Sequence, residues 1–193
     1  MDLDLLKALN DFAAAHDAFE DPVTFYNKVS ILLFAGLLAV LFLFGRRQGA
    51  RAAVAAGASA ALALGAAQVI SGLVDRPRPY VDHALHVFVT RSTDPSFPSD
   101  HTTAAFAIAV AVALRFRRLG WVALALAAAL AAGRVFVGAH YASDVVAGAA
   151  LGSLAALLLW APPLRRLTDG AADLAAGVRD GVLCAGRRAL RLG

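Results

Sequence analysis

The stretch AAVAAGASAALALGAAQVISGLV, residues 52–74, governs how the rest of the chain reads. It holds no charged residue, and as a helix rising about 1.5 Å per residue it spans about 35 Å, enough to cross a bilayer. Apolar and polar residues do not alternate along it with period two, so a strand reading fails. Four more apolar blocks flank it: about 26–44 before it, then about 101–114, which is short, 119–138, and about 141–160, which stops at Pro162-Pro163. Short charged loops separate the blocks. The 193 residues are 60% hydrophobic with mean hydropathy +0.67, whereas a soluble chain of this size would gather its apolar residues into one core. The expected fold is all-α: a polytopic membrane helix bundle of about five transmembrane helices with amphipathic terminal helices, forming one membrane-embedded domain over residues 1–193.

Loop charges orient the bundle. Arg46, Arg47 and Arg51 follow the first block, Arg115, Arg117 and Arg118 separate the third and fourth, and Arg165 and Arg166 follow the fifth. These regions alternate correctly to share one side, which the positive-inside rule makes cytoplasmic. The acidic N-terminal segment (Asp2, Asp4, Asp11, Asp17, Glu20, Asp21), the loop 75–98 and the turn between the last two blocks then lie outside. The expected location is the inner (cytoplasmic) membrane, multi-pass, with the N-terminus outside and the C-terminus inside. Acidic residues stand where a signal peptide would carry its basic region. Of the 18 basic residues only Lys7 and Lys28 are lysine, and the arginines end apolar blocks, so nucleic acid is not an expected partner. The single cysteine, Cys184, excludes an intrachain disulfide. Residues 2–19 have helical spacing (Leu3, Leu6, Leu9, Phe12). Residues 165–193 read either as a basic amphipathic helix on the anionic inner leaflet, with Leu167, Leu174, Val178 and Leu190 among charges, or as a solvated tail.

Unusual polar residues collect on the outer side. They are Asp75-Arg76-Pro77-Arg78-Pro79-Tyr80 after the second block, Pro98-Ser99-Asp100-His101 at the start of the third, Arg134 near the end of the fourth, and His140 with Asp144 at the start of the fifth. Charges at membrane depth are costly and are usually paired and functional. Four residues apart, His140 and Asp144 share a helix face. The carboxylate can fix one imidazole nitrogen and leave the other free to attack, or the pair can simply satisfy a helix end. Ser99 or Asp100 is a natural N-cap, and a helix start is a seat for phosphate, with His101 beside it as a proton donor; the plainer reading is an ordinary cap beside a surface histidine. Arg78 and Arg134 suit the equatorial oxygens of a phosphoryl transition state, while Arg76 could serve equally as an interface anchor. His83 and His86 read as surface histidines.

Together these residues resemble the three-part signature of the type 2 phosphatidic acid phosphatase superfamily. The first motif of that family is Lys, six residues, Arg-Pro; the second Pro-Ser-Gly-His; the third Ser-Arg, five residues, His, three residues, Asp. Arg78-Pro79 matches the first, Pro98, Ser99 and His101 the second, and Arg134, His140 and Asp144 the third, over about residues 70–148. Three positions depart: Ser71 stands for the Lys, Asp100 for the Gly and Gly133 for the Ser. Arg76 is the candidate to compensate for the lost lysine. Phe-Pro-Ser-Asp-His-Thr-Thr and Asp-Arg-Pro-Arg-Pro are similar to the bacitracin-resistance type of undecaprenyl-diphosphate phosphatase.

The resemblance implies a membrane hydrolase that takes phosphate from a polyprenyl diphosphate at the outer face, with no metal and no cofactor. It implies that His140 attacks phosphorus to form a phosphohistidine, that Asp144 orients His140, and that His101 protonates the leaving oxygen. Arg78, Arg134 and Ser99 are expected to hold phosphate oxygens, with Arg76 and Asp100 beside them. Two alternatives stand next to this one: a phosphatidate or phosphatidylglycerophosphate phosphatase with the same site, and a non-catalytic lipid-phosphate transporter.

Overall fold

A computed structural model describes residues 2–192, excepting the side chains of Asp17 and of residues 185–192. The described residues form eight helices: α1 (Asp2–Ala14), α2 (Asp17–Phe44), α3 (Arg46–Val74), the single turn α4 (Pro79–Asp82), α5 (Asp100–Ala113), α6 (Arg117–Phe136), α7 (Ala142–Trp160) and α8 (Pro162–Leu192). Among the described residues, four segments are long and apolar enough to cross a membrane: Ala18–Phe44, Arg46–Asp82, Arg117–Phe136 and Ala142–Trp160. The third apolar block is the short helix α5, which α3, α6 and α7 surround.

Composition explains that arrangement. The inward faces of α3, α5, α6 and α7 are mostly alanine, so backbones approach closely without a thick layer of large side chains. Helix α7 meets α5 at especially close range. A Cβ on Gly148 would lie 2.8 Å from the Ser99 carbonyl oxygen, and one on Gly152 would overlap the Thr103 carbonyl oxygen. The Leu- and Phe-rich α2 instead leaves Phe25, Leu32, Leu33, Val40 and Phe44 exposed, as a lipid-facing helix does.

Helix α5 does not begin level with its neighbours. Ser99 lies beside Gly148, six residues into α7. Asp100 accepts a hydrogen bond from Gln68 Nε2 at 3.1 Å, six residues before α3 ends. At 1.5 Å per residue, the start of α5 is recessed by about 9 Å.

The arginine-rich end is tied together by ion pairs. Asp173 of α8 accepts from both Arg47 and Arg51 at 2.6–2.9 Å, and Asp169 pairs with Arg115. These bonds hold the Asp173 carboxyl well below the usual carboxylate range, led by the Arg47 and Arg51 hydrogen bonds. The C-terminal segment is therefore a helix from Pro162 on, docked against α3, and not a solvated tail. Its Leu167, Leu174 and Val178 are exposed; the side chain of Leu190 lies outside the described residues.

Candidate active site

At the opposite end, the last turn of α6 delivers Arg134, and the chain reverses through Gly138 at φ +74°. The amides of Ala139 and His140 return to the Arg134 carbonyl at 3.1 and 3.3 Å, which places the imidazole next to the guanidinium. The loop from 83 to 99 closes over this end. Tyr80 pins it by donating to the Ser92 carbonyl at 2.9 Å and accepting the Ser92 amide at 2.8 Å.

His140 is only 2% exposed. Its Nδ1 sits 2.8 Å from the Ser96 carbonyl oxygen, a group that can only accept, so Nδ1 carries the proton and Nε2 the lone pair. Nε2 faces Arg78 Nη1 at 3.3 Å, and Arg78 is steadied from behind by the Asp94 carbonyl at 2.9 Å. In the loop between α6 and α7, burial first and then repulsion from Arg134 and Arg78 press the His140 pKa down to about 4, against the opposing pull of Asp144. At neutral pH the ring is therefore uncharged, the form that can act as a nucleophile.

The contact expected between Asp144 and His140 is present as a 3.7 Å approach, while the shorter bonds of the carboxylate go elsewhere. Helix α7 starts after His140, with Tyr141 at the N-cap position, so the i,i+4 spacing does not place the pair on one helical face. Asp144 instead takes up the open amide of Tyr141 at 2.9 Å, the Ser96 hydroxyl at 2.5 Å and Arg76 Nη1 at 2.8 Å, leaving His140 Nδ1 3.7 Å away. Asp144 thus holds Ser96, and the Ser96 carbonyl holds His140.

Arg76 likewise has another task than the one expected of it. Its guanidinium bonds Asp144, Ser143 Oγ at 2.7 Å and Asp2 at 3.0 Å, and lies 3.8 Å from the centre of the Tyr141 ring. These bonds hold it at Asp144, and it does not line the cavity where a phosphate ligand or a replacement for the missing lysine would stand. Ser99 holds the N-cap position, but its side chain makes no cap hydrogen bond. It is fully buried, accepts from Thr102 Oγ1 at 3.2 Å and does not line the cavity.

The other expected residues do meet. A cavity of about 520 Å³ is lined by His140, His101, Arg78, Arg134 and Asp100, with Ser71 on its α3 side. Arg134 is 7% exposed, and its Nε has no hydrogen-bond partner among the described residues. Gly133 is explained by space, because a Cβ there would overlap the Asn27 amide. Sequence reasoning missed Ser96, Gln68, Asn27 and Lys28. The first acts on His140 through its backbone and leaves no side-chain signal. The other three are polar residues on apolar helices, and that misplacement is itself a legible signal.

An imidazole with a free lone pair, a second histidine and two guanidiniums around one cavity can attack, protonate and stabilise an anionic group. The chain belongs to the PAP2 superfamily, whose model matches residues 52–166. It is a membrane phosphatase of that family, acting on lipid phosphates. Among its relatives, the undecaprenyl-diphosphatase BcrC of Bacillus subtilis is 31% identical over 82% of this chain and 80% of its own length. The decaprenylphosphoryl-5-phosphoribose phosphatase of Mycobacterium tuberculosis is 39% identical over 63% of this chain and 65% of its own. The crystal structure of LpxE from Aquifex aeolicus shares the fold, with a TM-score of 0.65 at 22% identity, covering 81% of this chain and 93% of that one.

Proposed function

We propose that this protein hydrolyses undecaprenyl or another polyprenyl diphosphate to the monophosphate and inorganic phosphate, recycling a cell-wall lipid carrier. The observation that carries the reading is the tautomer of His140: the Ser96 carbonyl leaves the Nε2 lone pair at a cavity shared with Arg78, Arg134 and His101. The resemblance to BcrC supports the diphosphate.

In the first half-reaction, Nε2 of His140 bonds the terminal phosphorus while the bond from that phosphorus to the bridging oxygen breaks. His101, in its imidazolium form, gives the leaving oxygen its proton. Arg78 and Arg134 hold the equatorial oxygens as negative charge spreads over them. In the second half, His101 takes a proton from water as the water oxygen bonds phosphorus. The N–P bond breaks and its electron pair returns to Nε2. Asp144 and Arg76 position Ser96 and do not touch the substrate. The whole chain works as one membrane-embedded unit in the inner membrane. Its arginine-rich end faces the cytoplasm and its cavity the outer side, because the arginines of the loops gather at the end opposite His140.

The test is phosphate release by protein in detergent with undecaprenyl diphosphate and with phosphatidate, beside His140→Ala. Faster release from the diphosphate and none in the variant is expected. Preference for phosphatidate sinks the substrate, and an active His140→Ala sinks the phosphohistidine.

A further inference from the structure

The cavity has a cation that none of the signature motifs supplies. Lys28 comes from α2, outside the region that carries the motifs, yet lines the same cavity as His140, Arg78 and Arg134. Its side chain takes part in no ion pair or hydrogen bond among the described residues. Lys28 is exposed and also borders the cavity, so it stands at the cavity's mouth, within reach of both water and the space inside.

Two further observations favour the cavity as the place its ammonium serves. On the facing helix, Ser71 and Gln68 line the same wall, and Ser71 occupies the place where the first motif calls for lysine. Its short side chain leaves that side of the cavity without a cation. Next to Lys28, Asn27 is 3% exposed and lines the cavity, its Oδ1 without a hydrogen-bond partner among the described residues, so α2 turns a polar face to this space. Charge balance points the same way. Asp94 and Asp100 also line the cavity and bring acidic charge that opposes a phosphate. Lys28 adds a positive charge that is present whatever the protonation of His101, which improves the seat for a phosphate.

We infer that Lys28 binds a phosphate group of the substrate and does from α2 what a lysine at position 71 would do from α3. This rests on the reading of the cavity as the phosphate site. The compact, flexible ammonium reaches across to the phosphate and contributes to ground-state binding as a point charge, while the two arginines act on the reacting oxygens.

The experiment compares wild type, Lys28→Met, Lys28→Arg and Lys28→Met/Ser71→Lys in detergent, reading KM for the lipid and inhibition by inorganic phosphate. Methionine keeps the helix-forming, apolar stem, and a melting curve for each variant confirms folding. Lys28→Met is expected to raise KM and the phosphate inhibition constant each by about 10-fold, the loss of one charged hydrogen bond at a partly solvated site, with a smaller change in kcat. Lys28→Arg should stay within about 3-fold, and Ser71→Lys should restore most of what Lys28→Met lost. Unchanged constants in Lys28→Met overturn the inference. So does an equal loss in the arginine variant, or a double variant no better than Lys28→Met. Should the wild type release phosphate from no lipid, the proposed function fails separately. Calorimetric binding of inorganic phosphate to wild type and Lys28→Met then still decides the role of Lys28.

Discussion

Replacing Arg76 separates two tasks that its sequence position alone leaves equivalent. As a phosphate ligand its loss would raise KM and leave stability nearly intact. As the counter-ion of Asp144, its loss strands a carboxylate that is 0% exposed. Breaking a buried pair by removing one partner costs about 3–5 kcal/mol. The low end, about 3 kcal/mol, fits here, because Asp144 keeps the Ser96 hydroxyl and the Tyr141 amide and the Arg76 side chain is 29% exposed. For a chain of this size that lowers the melting midpoint by roughly 6–12 °C. A double-mutant cycle with Asp144→Asn isolates the pair, since the neutral amide needs no counter-ion. In that background Arg76→Met should cost about 1 kcal/mol, from lost stacking on Tyr141 and the bonds to Asp2 and Ser143, so the coupling is about 2 kcal/mol. The assay is thermal unfolding in detergent with kcat and KM for each corner of the cycle. Additive stability effects, with a rise in KM as the main result of Arg76→Met, would refute the assignment of Arg76 to Asp144.

Two more outcomes follow from the geometry. Gly152→Val should lower stability by about 2 kcal/mol or more through overlap with the Thr103 carbonyl, where Val146→Ala on the exposed side of α7 should be nearly silent; parallel melting curves check this. Folding depresses the His140 pKa from 6.5 to about 4, so between these values the unfolded chain binds a proton that the folded chain refuses. Stability should therefore fall as pH drops from about 6.5 to 4. Melting points taken across that range should show a shallower slope in His140→Gln, and identical slopes would refute the burial of a neutral ring.

How much of this was legible in the sequence differs from residue to residue. The spans were, because hydropathy over long windows is a property of composition: residues 52–74 and 119–138 lie within or nearly within α3 and α6. Convergence of His101, His140, Arg78 and Arg134 was legible through motif spacing together with loop charge. The connection between Asp144 and His140 was not. It depends on α7 starting one residue after Tyr141 and on a carbonyl at Ser96, and a backbone acceptor leaves no trace in residue type. Arg76 and Arg78 stand on either side of Pro77, and only the direction of each side chain separates the one that faces His140 from the one that faces Asp144. The docking of α8 depends on Asp173 meeting Arg47 and Arg51 across more than a hundred residues of sequence, which no local pattern records.

The recessed start of α5 determines which molecules can meet its histidine. A phosphate seated beside His101 lies about 9 Å below the end of α3, where a free anion arriving from water must shed hydration with no tail to retain it. A headgroup carried on a long chain arrives with its depth already set by the leaflet and its search confined to a plane. Discrimination between lipids and soluble esters is then a matter of altitude, fixed by where one fourteen-residue helix begins. A helix one turn longer at that end would raise the same chemistry by about 5 Å toward the aqueous pool.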